Sequence, residues 1–116
     1  MNETQSIGAR IKERNIFFKG GDFLTRGGGF TQVPNVILVD KDLSVGAKLT
    51  YAMLLKYAWY DDHCFPGQDK LAEDMGVGKR SVVTFIKELQ TADLIEVERR
   101  GLGKPNVYHL NMTIRR

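Results

Sequence analysis

Four consecutive residues, Asp61-Asp62-His63-Cys64, form the densest run of metal-ligating side-chain types in the chain. Adjacent loop residues seldom converge on one ion, and no second cluster completes a tetrahedral set. The run therefore reads as a polar turn, with Cys64 a small apolar residue opening a short strand. Gly101-Leu102-Gly103-Lys104 has the glycines and lysine of a phosphate loop. A Walker loop needs Gly-x-x-x-x-Gly-Lys-Ser/Thr between a strand and a helix, whereas here Pro105 follows the lysine and β-prone residues follow the turn. Gly27-Gly28-Gly29 carries no lysine at all. His63 and His109 are the only histidines, and no Ser/His/Asp arrangement is detectable around them. These observations point away from an enzyme and imply no metal or other cofactor. Tyr57, Trp59 and Tyr60 could stack on single-stranded bases. Aromatics at helical spacing are more often packed in a core, and that reading is adopted.

Binding chemistry is better represented. In the stretch from Lys79 to Leu89, the apolar Val82, Phe85, Ile86 and Leu89 recur at helical spacing and form one stripe. The other side is left with Lys79, Arg80, Ser81, Val83, Thr84 and Lys87. Cations in a first turn oppose the helix dipole, so they are poorly placed for helix stability and well placed for a neighbouring polyanion. The short side chains of Ser81, Val83 and Thr84 suit close approach to base edges, including a thymine methyl. Arg99, Arg100 and Lys104 add cations around a glycine- and proline-rich turn. A solvated amphipathic face explains the helix taken alone; it does not explain the elements ordered around it.

Those elements are legible in the pattern. Ser44 is an N-cap for a helix over 44–60, in which Ala47, Tyr51, Leu54, Leu55 and Ala58 share a face. Gln68–Met75 is a short second helix with Leu71, Ala72 and Met75 inward, and Gly76-Val77-Gly78 joins it to a third over 79–92. Leu94 closes the core beyond that helix, and Ile95–Arg99 and Val107–Met112 alternate as the strands of a hairpin. Phe30–Val39 is β-prone, with Pro34 confining any strand there to a short or edge one. The glycine runs in residues 1–29 predict an arm or linker, with a short helix near 5–15, leaving 30–116 as the domain. The expected fold is α+β and mainly helical: a short strand, three helices and a C-terminal β-hairpin, which is a winged helix-turn-helix.

Length and charge agree with one such domain. The chain has 116 residues, 42% of them hydrophobic, and no apolar run approaching the roughly 20 residues that span a bilayer. Its single cysteine excludes an internal disulfide framework. With no secretory pattern at the N-terminus, a reducing, cytoplasmic setting without a membrane partner is expected. The formal charge is +3, divided as +2 over residues 1–39, −3 over 40–75 and +4 over 76–116. A positive last third beside a negative middle suggests a face made for a polyanion.

The stretch LAEDMGVGKRSVVTFIKELQTADLIEVERRGLGKPNVYHL resembles the winged helix-turn-helix domains of bacterial plasmid and phage replication initiators and related bacterial regulators. FTQVPNVILVDKDLSVGAKLTYAMLLKYA is similar to the start of those domains, and CFPGQDKLAEDMGVGKRSV to their F-P-S-Q-x-x-L-A-x-x-x-G-V-S-x-R-T-V pattern. The resemblance implies that Lys79, Arg80, Ser81, Val83 and Thr84 meet DNA from a recognition helix, with Lys104 and Arg99 or Arg100 meeting phosphate from a wing. Gly67 and Gly78 depart from the family's N-cap serines, removing a hydroxyl that could touch phosphate. The expected function is sequence-specific binding of double-stranded DNA, at an origin of replication and associated with nucleoid or plasmid. A transcriptional regulator of the same fold and a winged-helix protein-interaction module are the alternatives. A homodimer, or several copies on one DNA, is expected, with Phe17 and Phe18 of the arm as the contact.

Overall fold

The computed structural model describes residues 15–60, 67–104 and 106–111, with Trp59 and Tyr60 described by their backbone alone. The chain divides into two units, Met1–Phe30 and Thr31–Arg116. Within the first, Asp22–Leu24 and Arg26–Gly28 are single 3-10 turns with no buried residue. Arg26 pairs with Asp22 at 3.1 Å, and Ile16, Phe17, Phe18, Phe23 and Leu24 are exposed. The short helix expected near 5–15 falls outside the described residues apart from its last position.

The second unit opens differently from expectation. No strand forms in Phe30–Val39; Asn35–Leu38 is instead one turn of helix, α1. Pro34, with φ −58°, leads into it, and its carbonyl accepts from the Ile37 amide at 3.0 Å. A strand here would need a partner for its backbone groups, whereas the turn satisfies them locally. It buries Ile37 alone and leaves Val36, Leu38 and Val39 exposed.

Helix α2 spans Val45–Tyr60. Ser44 caps it, its hydroxyl accepting from the Ala47 amide at 3.1 Å. Ala47, Tyr51 and Leu54 are buried along one face, Leu55 is half-buried and Ala58 is exposed. Helix α3, Gln68–Met75, buries Leu71 and Ala72. It ends in a Schellman motif, with the Val77 amide donating to the Ala72 carbonyl at 3.0 Å and Gly76 at φ 70°. That left-handed position is why a glycine stands in the turn.

Helix α4, Lys79–Thr91, starts at Gly78 with no side-chain cap and buries Val82, Ile86 and Leu89. It too ends in a Schellman motif: the Leu94 amide donates to the Leu89 carbonyl at 2.9 Å, and Asp93 takes the left-handed position at φ 60°. Leu89 and Leu94 are both buried, the apolar contact that usually accompanies this motif. Strands β1, Ile95–Glu98, and β2, Val107–Leu110, pair antiparallel with Ile95 opposite Leu110 and Val97 opposite Tyr108. Those four residues face the core, while Glu96, Glu98 and His109 are exposed on the other face. The Asn111 amide donates to the Leu94 carbonyl at 2.8 Å, extending the pairing one step beyond the strands, and the Tyr51 hydroxyl donates to the Asn111 carbonyl at 3.4 Å, tying the hairpin to α2. Three helices followed by an antiparallel hairpin, preceded here by a helical turn in place of a strand, make an α+β winged helix-turn-helix.

Candidate nucleic-acid interface

Successive residues of a helix are about 100° apart around its axis. With Val82, Ile86 and Leu89 inward, the opposite line of α4 runs through Arg80, Thr84, Lys87 and Thr91, all exposed. Ser81 and Val83 lie on opposite edges of that line and are half-buried. The Thr84 hydroxyl donates to the Arg80 carbonyl at 3.2 Å, so its proton is engaged while the oxygen can still accept. Lys79 Nζ lies 3.3 Å from Asp69 in the first turn of α3, with both side chains mostly exposed. This corrects part of the dipole argument: Lys79 has a nearby counterion, and Arg80 alone is a first-turn cation with no ion pair among the described residues. An exposed pair of this kind holds its cation only weakly, so Lys79 can exchange Asp69 for another anion.

The hairpin brings a second set of cations to its turn. Arg99, Arg100 and Lys104 are exposed, and the Lys104 amide closes the turn on the Gly101 carbonyl at 3.3 Å. Burial pushes the Tyr108 phenol up, while a hydrogen bond with Asn106 and the charge of Arg99 pull it back. Arg99 therefore sits at the base of the turn beside Tyr108. The exposed face of the strands has the opposite character: His109 Nε2 lies 3.0 Å from Glu98, and Glu96 is directly across from His109. Among the described residues of the hairpin, the lysine and arginines are thus at the turn and its base.

Residues 41–95 match the family model described as a helix-turn-helix domain. In this segment α3, the left-handed turn at Gly76 and α4 have the helix-turn-helix arrangement. Two solved structures are similar to this chain in fold. One, described as the N-terminal domain of a DNA binding protein, has a TM-score of 0.53 and 24% identity, covering 98% of this chain and 86% of that one. The other, a Rep–DNA complex, also has a TM-score of 0.53 and 24% identity, covering 97% and 85%. No curated protein matches the sequence.

The helix-turn-helix domain brings Arg80, Thr84 and Lys87 into one line and places Lys79, Ser81 and Val83 to its sides. Sequence reasoning missed Thr91, the next member of the line, because the exposed face was read only from Lys79 to Leu89. It also passed over Leu102, wholly exposed at the turn between Gly101 and Gly103. A lone apolar residue between two glycines, with no core within reach, was the available signal. Beside the line, a groove of about 460 Å³ is lined by Asp42, Leu43, Thr84, Lys87 and Glu88 among others.

Tyr57 is tied down. Its hydroxyl donates to the Asp74 carboxylate, which also pairs with Lys70 at 3.2 Å, and Lys56 Nζ lies 5.0 Å from its ring centroid. Burial first, then Asp74, push the Tyr57 phenol well above its ordinary range. This side chain ties α2 to α3. Asp61, Asp62, His63 and Cys64 and the side chains of Trp59 and Tyr60 lie outside the described residues. Among the described residues no group of three or more His, Cys, Asp or Glu is arranged to hold a metal, and no helix is long and apolar enough to cross a membrane.

Proposed function

We propose that this domain binds double-stranded DNA sequence-specifically, with α4 in the major groove and the hairpin turn on phosphate, as the origin-recognition part of a plasmid- or phage-type replication initiator. The observation that carries the proposal is the outward line of α4: Arg80 and Lys87 flank Thr84, no carboxylate interrupts them, and all three are exposed. Two long cations reach phosphate while the short residue between them lets base edges come close. The basic turn at Arg99, Arg100 and Lys104 supports the same reading, as does likeness in fold to a protein solved in complex with DNA. The role is binding and not catalysis. One module of this size covers only about 600–1,000 Å² on DNA, so two or more copies act together.

The test is selection of bound fragments from a random duplex pool, followed by sequencing. An enriched motif that recurs as iterated repeats in its native setting supports origin recognition. A single promoter palindrome would move the assignment to a transcriptional regulator. No enrichment, with binding that scales only with charge, would overturn sequence-specific recognition.

A further inference from the structure

The N-terminus of α2 is completed by a residue of α4. In the local capping box, a serine at the N-cap accepts from the amide three residues on, and a glutamate at that third position reaches back to the serine amide. Here the third position is Ala47, which has no side chain to reach back. Glu88, 44 residues away in sequence, takes that role. Its Oε1 accepts from the Ser44 amide at 3.0 Å, and its Oε2 from the Ser44 hydroxyl at 2.6 Å, while the same hydroxyl accepts from the Ala47 amide at 3.1 Å. One helical turn earlier, the Phe85 ring lies against Gly46, where an added Cβ would overlap it.

Helix α4 is therefore held to the first turn of α2 at two points on one edge, one apolar and one charge-assisted. The polar point fixes direction, because both carboxylate oxygens are committed to one serine. The buried Val82, Ile86 and Leu89 decide which side of α4 faces inward, and the pairing of Glu88 with Ser44 fixes the finer roll that apolar packing leaves adjustable. Glu88 is one residue beyond Lys87 and four beyond Thr84, so a roll of α4 turns the outward line with it. We propose that Glu88, through Ser44, is a positioning residue that sets the roll of α4 and so the register in which Thr84 and Lys87 meet base edges. The carboxylate faces Ser44 and not the DNA. This inference rests on the DNA-binding reading above, and deepens it.

The experiment compares the full chain with Glu88→Ala, Glu88→Gln, Ser44→Ala and the double variant Ser44→Ala/Glu88→Ala. Two quantities are measured: hydrogen exchange of the Ser44 amide, and affinity for the selected duplex against a random duplex over a range of salt. Glu88→Ala should expose the Ser44 amide to exchange and lower the selected-to-random preference roughly tenfold. Affinity for random duplex should not fall and its salt slope should change little, since no phosphate contact is lost and the only charge removed is a carboxylate. Glu88→Gln, which keeps an acceptor for the Ser44 amide, should retain most of the preference, and the double variant should lose no more than Glu88→Ala. Unchanged preference in a folded Glu88→Ala protein that has lost Ser44 protection would overturn the positioning role. Equal loss on both duplexes would overturn it too, since that marks a general loss of fold. A wild-type chain without any duplex preference would overturn the DNA-binding reading, and is seen before any variant is made.

Discussion

Thr84 and Lys104 are carried on different supports. Thr84 lies mid-helix with its hydroxyl bonded to the Arg80 carbonyl, so its orientation is set by α4. Lys104 lies in an exposed turn, with nothing to aim it at a base edge. Lys104→Ala should weaken binding to all duplexes about equally and reduce the salt slope by roughly one. Thr84→Ala should cost about 1–3 kcal/mol on the selected site and little on random DNA. Titration of binding against salt on both duplexes checks the contrast, and equal losses from the two variants would remove α4 as the reading element. Val83, half-buried at the edge of the line, should show a smaller change in base preference than Thr84. Asp74 offers a test away from the interface. The Tyr57 hydrogen bond, with help from Lys70, holds its carboxyl below the ordinary range. A lowered folded value means the contribution is present above the unfolded carboxyl value and is lost as pH falls through the folded one. The melting temperature of wild type should thus drop more steeply on acidification than that of Asp74→Asn, and parallel profiles would contradict the linkage.

At the scale of elements, the pair that matters is α2 against α4. Phe85 belongs to the apolar stripe read from the spacing of α4, and its ring sits on α2 at Gly46, half-buried. Phe85→Ala should therefore cost about 2–4 kcal/mol, less than the roughly 3–5 of a fully buried aromatic. Gly46→Ala gains helix propensity of about 1 kcal/mol, yet the overlap with Phe85 should make it destabilising by about 1–3 kcal/mol. In the Phe85→Ala background the overlap is gone, and Gly46→Ala should become neutral or stabilising. Thermal or denaturant unfolding of the four proteins reads this sign reversal directly. The α2, α3 and α4 limits were visible in the pattern because caps, glycine stops and apolar spacing are local. Asp93 was not visible as a left-handed residue, since glycine or asparagine is the usual signal.

For the whole molecule, the arm and the domain pose separate questions. The arm exposes Ile16, Phe17, Phe18, Phe23 and Leu24, more apolar surface than an isolated tail needs. If that surface joins copies on DNA, removing residues 1–28 should leave the domain folded. It should also lower the number of copies bound per duplex, as measured by sedimentation or mass photometry of the complex. Unchanged stoichiometry would assign the joining of copies to the domain itself.

The sequence by itself determined the helices and the hairpin, because their periodicities and end signals lie within a few residues of one another. It determined the outward cations of α4 for the same reason: once Val82, Ile86 and Leu89 are inward, Arg80, Thr84 and Lys87 have one place to go. Only the tertiary structure decided that Pro34 leads a helical turn, since that depended on whether a strand partner existed. It alone also decided that Lys79 meets Asp69, that Phe85 rests on Gly46 and that Glu88 caps α2 through Ser44. Each of these joins residues on different elements, and such partners are chosen by how helices settle against a shared core, which no local spacing encodes.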